Sequence, residues 1–220
     1  MQLNKQKGFT LVEIAIVLVI VGLLIGGVLK GQEMITNAKL KRVESDNAGI
    51  AAAMFSYQDR YLQLPGDDSA AVGRFSVYTG AAAANVNGDG SGTIGGAWDA
   101  LSSTDIVTNA GATESNKFFA HLRASGLIPG GGTDSTNPTN AYGGKIGIQD
   151  GSLLISGHVT VFGAIEGPIA KIIEARLDDG EPATGRIQAA ESGGTNAMAA
   201  NATAASDYDD TKRYDLAFRL

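Results

Sequence analysis

Not one charged or strongly polar side chain interrupts the run from Ile14 to Leu29, and the apolar character reaches back to Phe9 with a single acid, Glu13, set inside it. At about 1.5 Å rise per residue, the 21 residues from Phe9 to Leu29 predict a helix of roughly 30 Å, the thickness of a hydrocarbon core. The pattern then changes without breaking. Leu40, Val43, Ile50, Met54, Tyr57, Tyr61 and Leu64 recur at steps of three and four, with a double step across Asn47, so the same helix is expected to continue with one apolar face. Leu64-Pro65-Gly66 stops it. Read as one element from Phe9 to about Leu62, the helix is roughly 80 Å long. Gly22, Gly26, Gly27 and Gly31 each weaken it by about 1 kcal/mol relative to Ala.

Shorter elements follow. Asp67-Asp68 are expected to cap what comes after the stop. Residues 80 to 97 are rich in Gly and Asn and read as loop. Residues 115 to 126 read as an amphipathic helix with Phe118, Phe119 and Leu122 inward and Gly126 as its stop. Three strand-like runs, Lys145 to Gln149, Ser152 to Ser156 and His158 to Phe162, are separated by Asp150-Gly151 and Gly157 and predict an antiparallel meander. Gly167-Pro168 opens a helix that carries Ile169, Ile172, Ile173 and Leu177 on one side and ends at Asp178-Asp179-Gly180. From Ala189 to Asp207 the composition falls to small and polar residues, which reads as an exposed, mobile loop. Tyr214, Leu216, Phe218 and Leu220 alternate and predict a final strand. The fold class expected is α+β: a long N-terminal transmembrane and amphipathic helix packed on a globular head with an antiparallel β-sheet.

Charge sets the orientation of the span. Lys5 and Lys7 precede it, so the N-terminus is expected to stay in the cytoplasm and everything after Lys30 to be exported. A secretory signal peptide fits less well, because its apolar core is only about 7–15 residues and no A-x-A-like cleavage site follows here. A plain single-span anchor leaves Glu13 unexplained, since a carboxylate near the end of an apolar span costs on the order of 2–3 kcal/mol without a partner.

Lys7-Gly8-Phe9-Thr10-Leu11-Val12-Glu13 resembles the processing motif of type IV pilins and of the pseudopilins of type II secretion. The resemblance implies a pilin-like fold, cleavage by a prepilin peptidase between Gly8 and Phe9, and N-methylation of the new Phe9 amine. It also implies that Glu13 pairs with a neighbouring subunit's Phe9 amine during assembly; an ammonium and a carboxylate in a low-dielectric layer gain by that pairing. On this reading residues 1–8 are a cleaved leader, 9–29 the membrane segment, 30–64 its amphipathic continuation and 65–220 the head. The partners implied are other pilins in a homo- or hetero-oligomeric filament, the peptidase, the inner membrane and, indirectly, an assembly ATPase and platform proteins. The protein is expected first in the inner membrane and then in a pilus or pseudopilus, in the periplasm or at the cell surface. Two departures from the family stand out: the chain has no cysteine for a C-terminal disulfide, and no proline interrupts the helix near the end of the span.

The remaining chemistry narrows the function. Residues 43 to 220 hold 11 Lys/Arg against 21 Asp/Glu, a balance that repels phosphate backbones and makes nucleic acid an unlikely partner by charge. With two histidines, His121 and His158, and no cysteine, a zinc cluster or histidine-based nucleophile has almost nothing to be built from, and both histidines read as structural. No G-x-S-x-G, H-E-x-x-H or P-loop is present, so no enzyme activity is expected. Asn85, Asn87, Asp89 and Ser91 place oxygen side chains at the alternate spacing that opens a calcium loop, with Gly90 at the turn; the acid of the twelfth position is missing, and a glycine turn with an incidental acid is the competing reading. Calcium is the one cofactor this pattern raises. LDDGEPATGRI, residues 177–187, resembles a turn of pilin-like heads, and its acids read either as a second metal site or as a solvated turn. Three functions follow: a structural subunit of a pilus or pseudopilus, a membrane-tethered binding module, and an exported hydrolase. Glu13 and the Gly8-Phe9 junction favour the first.

Overall fold

The structure, a computed structural model, describes residues 9–80, 83–100, 105–109, 111–193, 198 and 202–220. The leader, including Gly8, lies outside the described residues. Helix α1, Leu11–Tyr61, takes up the whole apolar span and its amphipathic continuation in 51 residues. The chain divides into two compact units, one up to Lys41 and one Arg42–Leu220. In the first, the apolar side chains of the span are exposed, from Phe9 at 85% to Leu29 at 60%. That is the signature of a helix whose burial comes from something other than its own chain.

The second unit is α+β and pilin-like in its combination of a helix with an antiparallel sheet. Its elements after α1 are α2 (Ala71–Arg74), α3 (Glu114–Ala124), β1 (Ile146–Ser152), β2 (Ile155–Glu166), α4 (Gly167–Leu177), β3 (Ile187–Glu191) and β4 (Arg213–Arg219). The sheet order is β1-β2-β4-β3, antiparallel throughout. β4 is therefore an interior strand, placed between β2 and β3 although it is last in sequence.

Both faces of this sheet are covered. Ile148, Thr160, Phe162, Leu216, Phe218 and Ala189 occupy one face by their register. On that face Thr160 donates its hydroxyl to the Asn47 side chain of α1, so the residue that interrupts the apolar stripe of the helix is the one that bonds to the sheet. The other face carries Val159, Val161, Ala190 and Ala217, which form a core cluster with Trp98 and Met198. Trp98 lies so close to the sheet that a Cβ at Gly147 would fall 2.1 Å from its carbonyl oxygen, and one at Gly163 would fall 2.6 Å from its ring. Only glycine admits that approach.

Three expectations change. The second strand-like run, Ser152 to Ser156, is not a strand of its own: Asp150-Gly151 lie within β1, which runs to Ser152, the chain turns at Leu153-Leu154, and Ile155 and Ser156 open β2, which continues through Gly157 at φ 90°. Ala189–Glu191 are not loop: with Ile187 and Gln188 they form β3, which pairs with β4. Of Asp67-Asp68, Asp68 takes up the expected bond to the segment that follows, its Oδ1 accepting from the Ala70 amide at 2.9 Å, whereas Asp67 turns to the amides of residues 90–92, and both acids are buried, at 2% and 0% exposure. Asp68 accepts from the Tyr57 hydroxyl at 2.7 Å and pairs with Arg74 at 2.9 Å.

His121 is structural, as its surroundings require. It is fully buried, its Nδ1 accepts from the Gly66 amide at 2.9 Å, and Nε2 lies 3.0 Å from the Val86 carbonyl. An acceptor at Nδ1 leaves the proton on Nε2, so the ring is neutral. Burial lowers its pKa to about 4. The unfolded chain then takes up a proton near pH 6.5 that the folded chain refuses, and stability falls as pH drops from about 6.5 to about 4, by about 3 kcal/mol from this group. The check is an NMR titration of the histidine ring, expected to stay neutral to about pH 4; titration near the ordinary histidine value contradicts the assignment.

Candidate functional site

The N-terminal segment is built first by local chemistry. Thr10 precedes the first turn of α1 and Glu13 sits three residues on. Glu13 Oε2 accepts from the Thr10 amide at 2.8 Å and from its hydroxyl at 2.9 Å, and the Thr10 hydroxyl oxygen accepts from the Glu13 amide at 3.2 Å. This is a reciprocal capping box, which satisfies backbone donors that the first turn would otherwise leave open. The T-x-x-E spacing in Thr10-Leu11-Val12-Glu13 was the available signal for it. Glu13 therefore has a local role at the helix start, and one oxygen carries it. Phe9 stands immediately before the box and is highly exposed. Around them, Leu11, Val12, Ile14 and Ile16 offer only apolar surface.

Residues 3–29 match the model of the prokaryotic N-terminal methylation motif. The chain carries the prepilin-type cleavage and methylation motif of type IV pilins and pseudopilins. No curated protein and no solved structure matches it. The prepilin-type motif implies processing by a prepilin peptidase and assembly with other pilins, and together with the apolar helix it suits a membrane-anchored protein with an exported globular part. It points to a structural protein of the pilin type.

In the pilin-like globular unit, three of the four residues of the calcium-loop pattern, Asn87, Asp89 and Ser91, are engaged in hydrogen bonds. Asn85 lies in a 3-10 turn, Ala83–Val86. Asn87 Oδ1 accepts from the Val72 amide at 2.9 Å, Asp89 Oδ1 accepts from the Ser91 amide at 2.8 Å, and Ser91 Oγ is 2.9 Å from Thr93 Oγ1. Asp89 is instead grouped with two acids remote in sequence, Asp67 and Glu114, one carboxylate oxygen from each lying within 4.8 Å of the others.

Those two acids organise the loop through backbone donors. Asp67 Oδ1 accepts from the amides of Gly90 at 2.7 Å and Ser91 at 3.0 Å, and its Oδ2 accepts from Gly92 at 2.7 Å. Glu114, in the first turn of α3, accepts from the amides of Asp89 at 3.0 Å and Gly95 at 2.8 Å. Burial pushes the Glu114 carboxyl upward and outweighs these bonds, with the negative charges of Asp67 and Asp89 adding to the rise. The loop is thus wound around two anionic side chains, which explains why a segment so poor in apolar bulk is ordered. Sequence reading could not find Asp67 and Glu114 because they lie more than 20 residues to either side of the loop's own acid.

Asp67→Ala removes the carboxylate that three backbone amides share, leaving Gly90 its bond to the residue 67 carbonyl and Ser91 its bond to Asp89 but taking the acceptor of the Gly92 amide, and is expected to lower the stability of the globular unit by about 2 kcal/mol. Asp89→Ala, which loses one exposed turn bond, is expected to stay within about 1 kcal/mol of the parent. Thermal melts of the detergent-solubilised chain compare them, and equal melting temperatures for the two variants count against the role given to Asp67.

Proposed function

We propose that the protein is a structural subunit of a type IV pilus or related filament, cleaved between Gly8 and Phe9 and assembled through its N-terminal helix. One observation carries the reading: a methylation motif over residues 3–29 coincides with a helix whose apolar side chains are exposed and contain a single acid at Glu13. Residues 1–8 are the leader, 9–29 cross the inner membrane once with the N-terminus cytoplasmic, 30–64 continue the helix, and 65–220 form the exported head. In the filament the same apolar surface that lipid covers before assembly is covered by neighbouring subunits. Glu13 then meets the methylated Phe9 amine of another copy, a charge pair whose strength rises in the low-dielectric core. The protein has no catalytic role on this reading.

A pseudopilin of type II secretion, or a minor subunit, is the second reading. Its support is specific: α1 runs without interruption and without proline from Leu11 to Tyr61, and the chain has no cysteine. A helix with every backbone donor in place resists the local melting that a proline in the same region invites.

Two measurements test the proposal. Mass spectrometry of the protein from sheared filaments should find a chain that begins at N-methylated Phe9; retention of Met1, or a different start, sinks the processing assignment. Glu13→Gln separates the two roles of this side chain, because the amide oxygen still accepts the Thr10 bonds while the charge is gone. The variant is expected to be processed and to remain in the membrane, with filament yield reduced at least about tenfold, the scale of a lost ion pair worth 1.4 kcal/mol or more. Parental yield from Glu13→Gln would show that the carboxylate serves the helix start alone.

A further inference from the structure

Six of the eight arginines in the unit Arg42–Leu220 have a partner there. Arg42 pairs with Asp46, Arg74 with Asp68, Arg176 with Glu44 and Arg213 with Glu166, while Arg60 and Arg123 donate to backbone carbonyls. The guanidiniums of Arg186 and Arg219 have no partner among the described residues, and both residues are exposed. They are also neighbours. Ile187 pairs with Phe218, and one step further the Arg219 amide donates to the Arg186 carbonyl at 2.9 Å, so the two arginines stand opposite each other at the end of the β3–β4 ladder. Like charges in that position are destabilising. Asp178 accepts from the backbone amides of Arg186 and Ile187 and pairs with neither guanidinium. In a unit where acids outnumber bases, two adjacent cations left without a carboxylate point to one supplied from outside.

The two arginines line a cleft of about 170 Å³ with Asn47, Leu177, Ile187 and Phe218. That is below the roughly 300 Å³ at which small-molecule pockets begin, and it suits a protein side chain. Its composition is apolar with a cationic edge: Ile187 and Phe218 are buried, and Leu177 is exposed beside them. The complement of this cleft is on the same chain. Fifteen positions beyond Asn47, about 22 Å along the helix axis, α1 ends in an exposed face of Phe55, Asp59 and Leu62, at steps of four and three. Phe55 is 53% exposed and Leu62 83%. Asp59 lies between them and has no hydrogen bond or ion pair among the described residues. Leu62 is held at φ 55°, with its amide bonded to the Gln58 carbonyl at 2.8 Å. Glycine closes a helix end in this left-handed conformation without strain, whereas here a leucine is strained and presented to solvent.

We propose that the cleft of Arg186 and Arg219 receives the Phe55, Asp59 and Leu62 face of α1 from a second copy of the chain, with the Asp59 carboxylate between the two guanidiniums. The contact rests on the filament reading and deepens it. Glu181 and Asp210 are exposed acids too, but neither lies on a helix face between exposed apolar side chains. Asp59 does, and the cleft offers apolar surface beside its cations. Because the two surfaces differ, the contact is heterologous: each copy gives its helix end to one neighbour and its cleft to another, which builds an open filament and not a closed pair. The packing of apolar helices supplies most of the association, and the charges fix the register of one globular unit against the next.

The chain has no cysteine, so cysteines placed at the two surfaces report without background. Full-length Asp59→Cys and Arg219→Cys chains are produced together in cells, treated with a bis-maleimide as long as an arginine–aspartate pair, and separated on a denaturing gel. The mixture is expected to give a cross-linked dimer and neither variant alone to do so. A chain carrying both substitutions is expected to give a ladder, because a heterologous contact repeats. Asp210→Cys in place of Asp59→Cys should give no product. Charge reversal is the second arm. Asp59→Arg is expected to cut the yield of sheared filaments at least about tenfold, since like charges then meet in the cleft. Combining it with Arg186→Glu and Arg219→Glu should restore the yield to within about threefold of the parent. The three side chains are exposed, so thermal melts of these variants should match the parent's, and the cross-link decides the matter for any that does not. The proposal is overturned by the absence of a cross-link, by a double variant that stops at dimers, by an equal product from Asp210→Cys, or by parental filament yield from Asp59→Arg. Any of these leaves the filament reading standing while the parent chain is found in sheared filaments; a ladder from cells whose sheared fraction lacks the chain overturns that reading and keeps the contact.

Discussion

The apolar surface of residues 9–29 is the constraint from which the rest of the molecule takes its meaning. The helix satisfies its own backbone, but its side chains find no cover among the described residues. At roughly 25 cal/mol per Å², a helix of this composition cannot remain in water. It suits a lipid bilayer and, on the function proposed above, a second copy of the same surface as its two apolar environments. A single acid in that surface is costly in either place, and the capping box answers part of the cost by giving one oxygen of Glu13 two donors in its own chain.

The globular unit meets a different constraint. It holds 25 of the chain's 30 glycines, stretches of alanine and no disulfide, so apolar burial has to be concentrated. The four-stranded sheet does this by burying both faces, one with an α1 residue bonded to it and one under Trp98 and Met198. Loops that lack bulk are then held by buried anions. Asp67 and Glu114 gather the amides of residues 89–92 and of Gly95, Asp68 joins Tyr57 to Arg74, and Asp215 receives the Ala164 amide at the irregularity of β2 together with the Ser192 hydroxyl. Charge-assisted bonds to backbone amides are stronger than neutral ones, and a carboxylate accepts several at once. Acidity that would look like mere surface charge in the composition is, at these positions, internal scaffolding.

How legible this was depends on how local the cause is. The span, the extent of α1, the helices at Glu114 and Gly167 and the last strand all follow from periodicities or stop signals within a few residues of each element, and they stand where those signals put them. The processing motif is also a local string, and the match over residues 3–29 rests on it. β3 escaped notice because Ile187-Gln188-Ala189-Ala190-Glu191 has no alternation: it is short and buried on both sides, so small residues replace the usual apolar ones. Reading β4 by its alternating Tyr214, Leu216 and Phe218 described one face and missed Ala217 and Asp215 on the other, which are buried as well.

By itself, then, the sequence determined the membrane helix, the cleavage-type motif and the order of the main elements, since each depends on side chains that are neighbours along the chain or one helical turn apart. Tertiary structure alone decided which acids meet. Asp89 joins Asp67 and Glu114, and the buried Glu174 lies beside Asp178 and Asp179, with Tyr208 supplied from 34 residues away. Nothing in spacing announces those encounters. They arise because packing the sheet and helices brings remote segments within hydrogen-bond reach, and the energy of a carboxylate depends on what surrounds it in space.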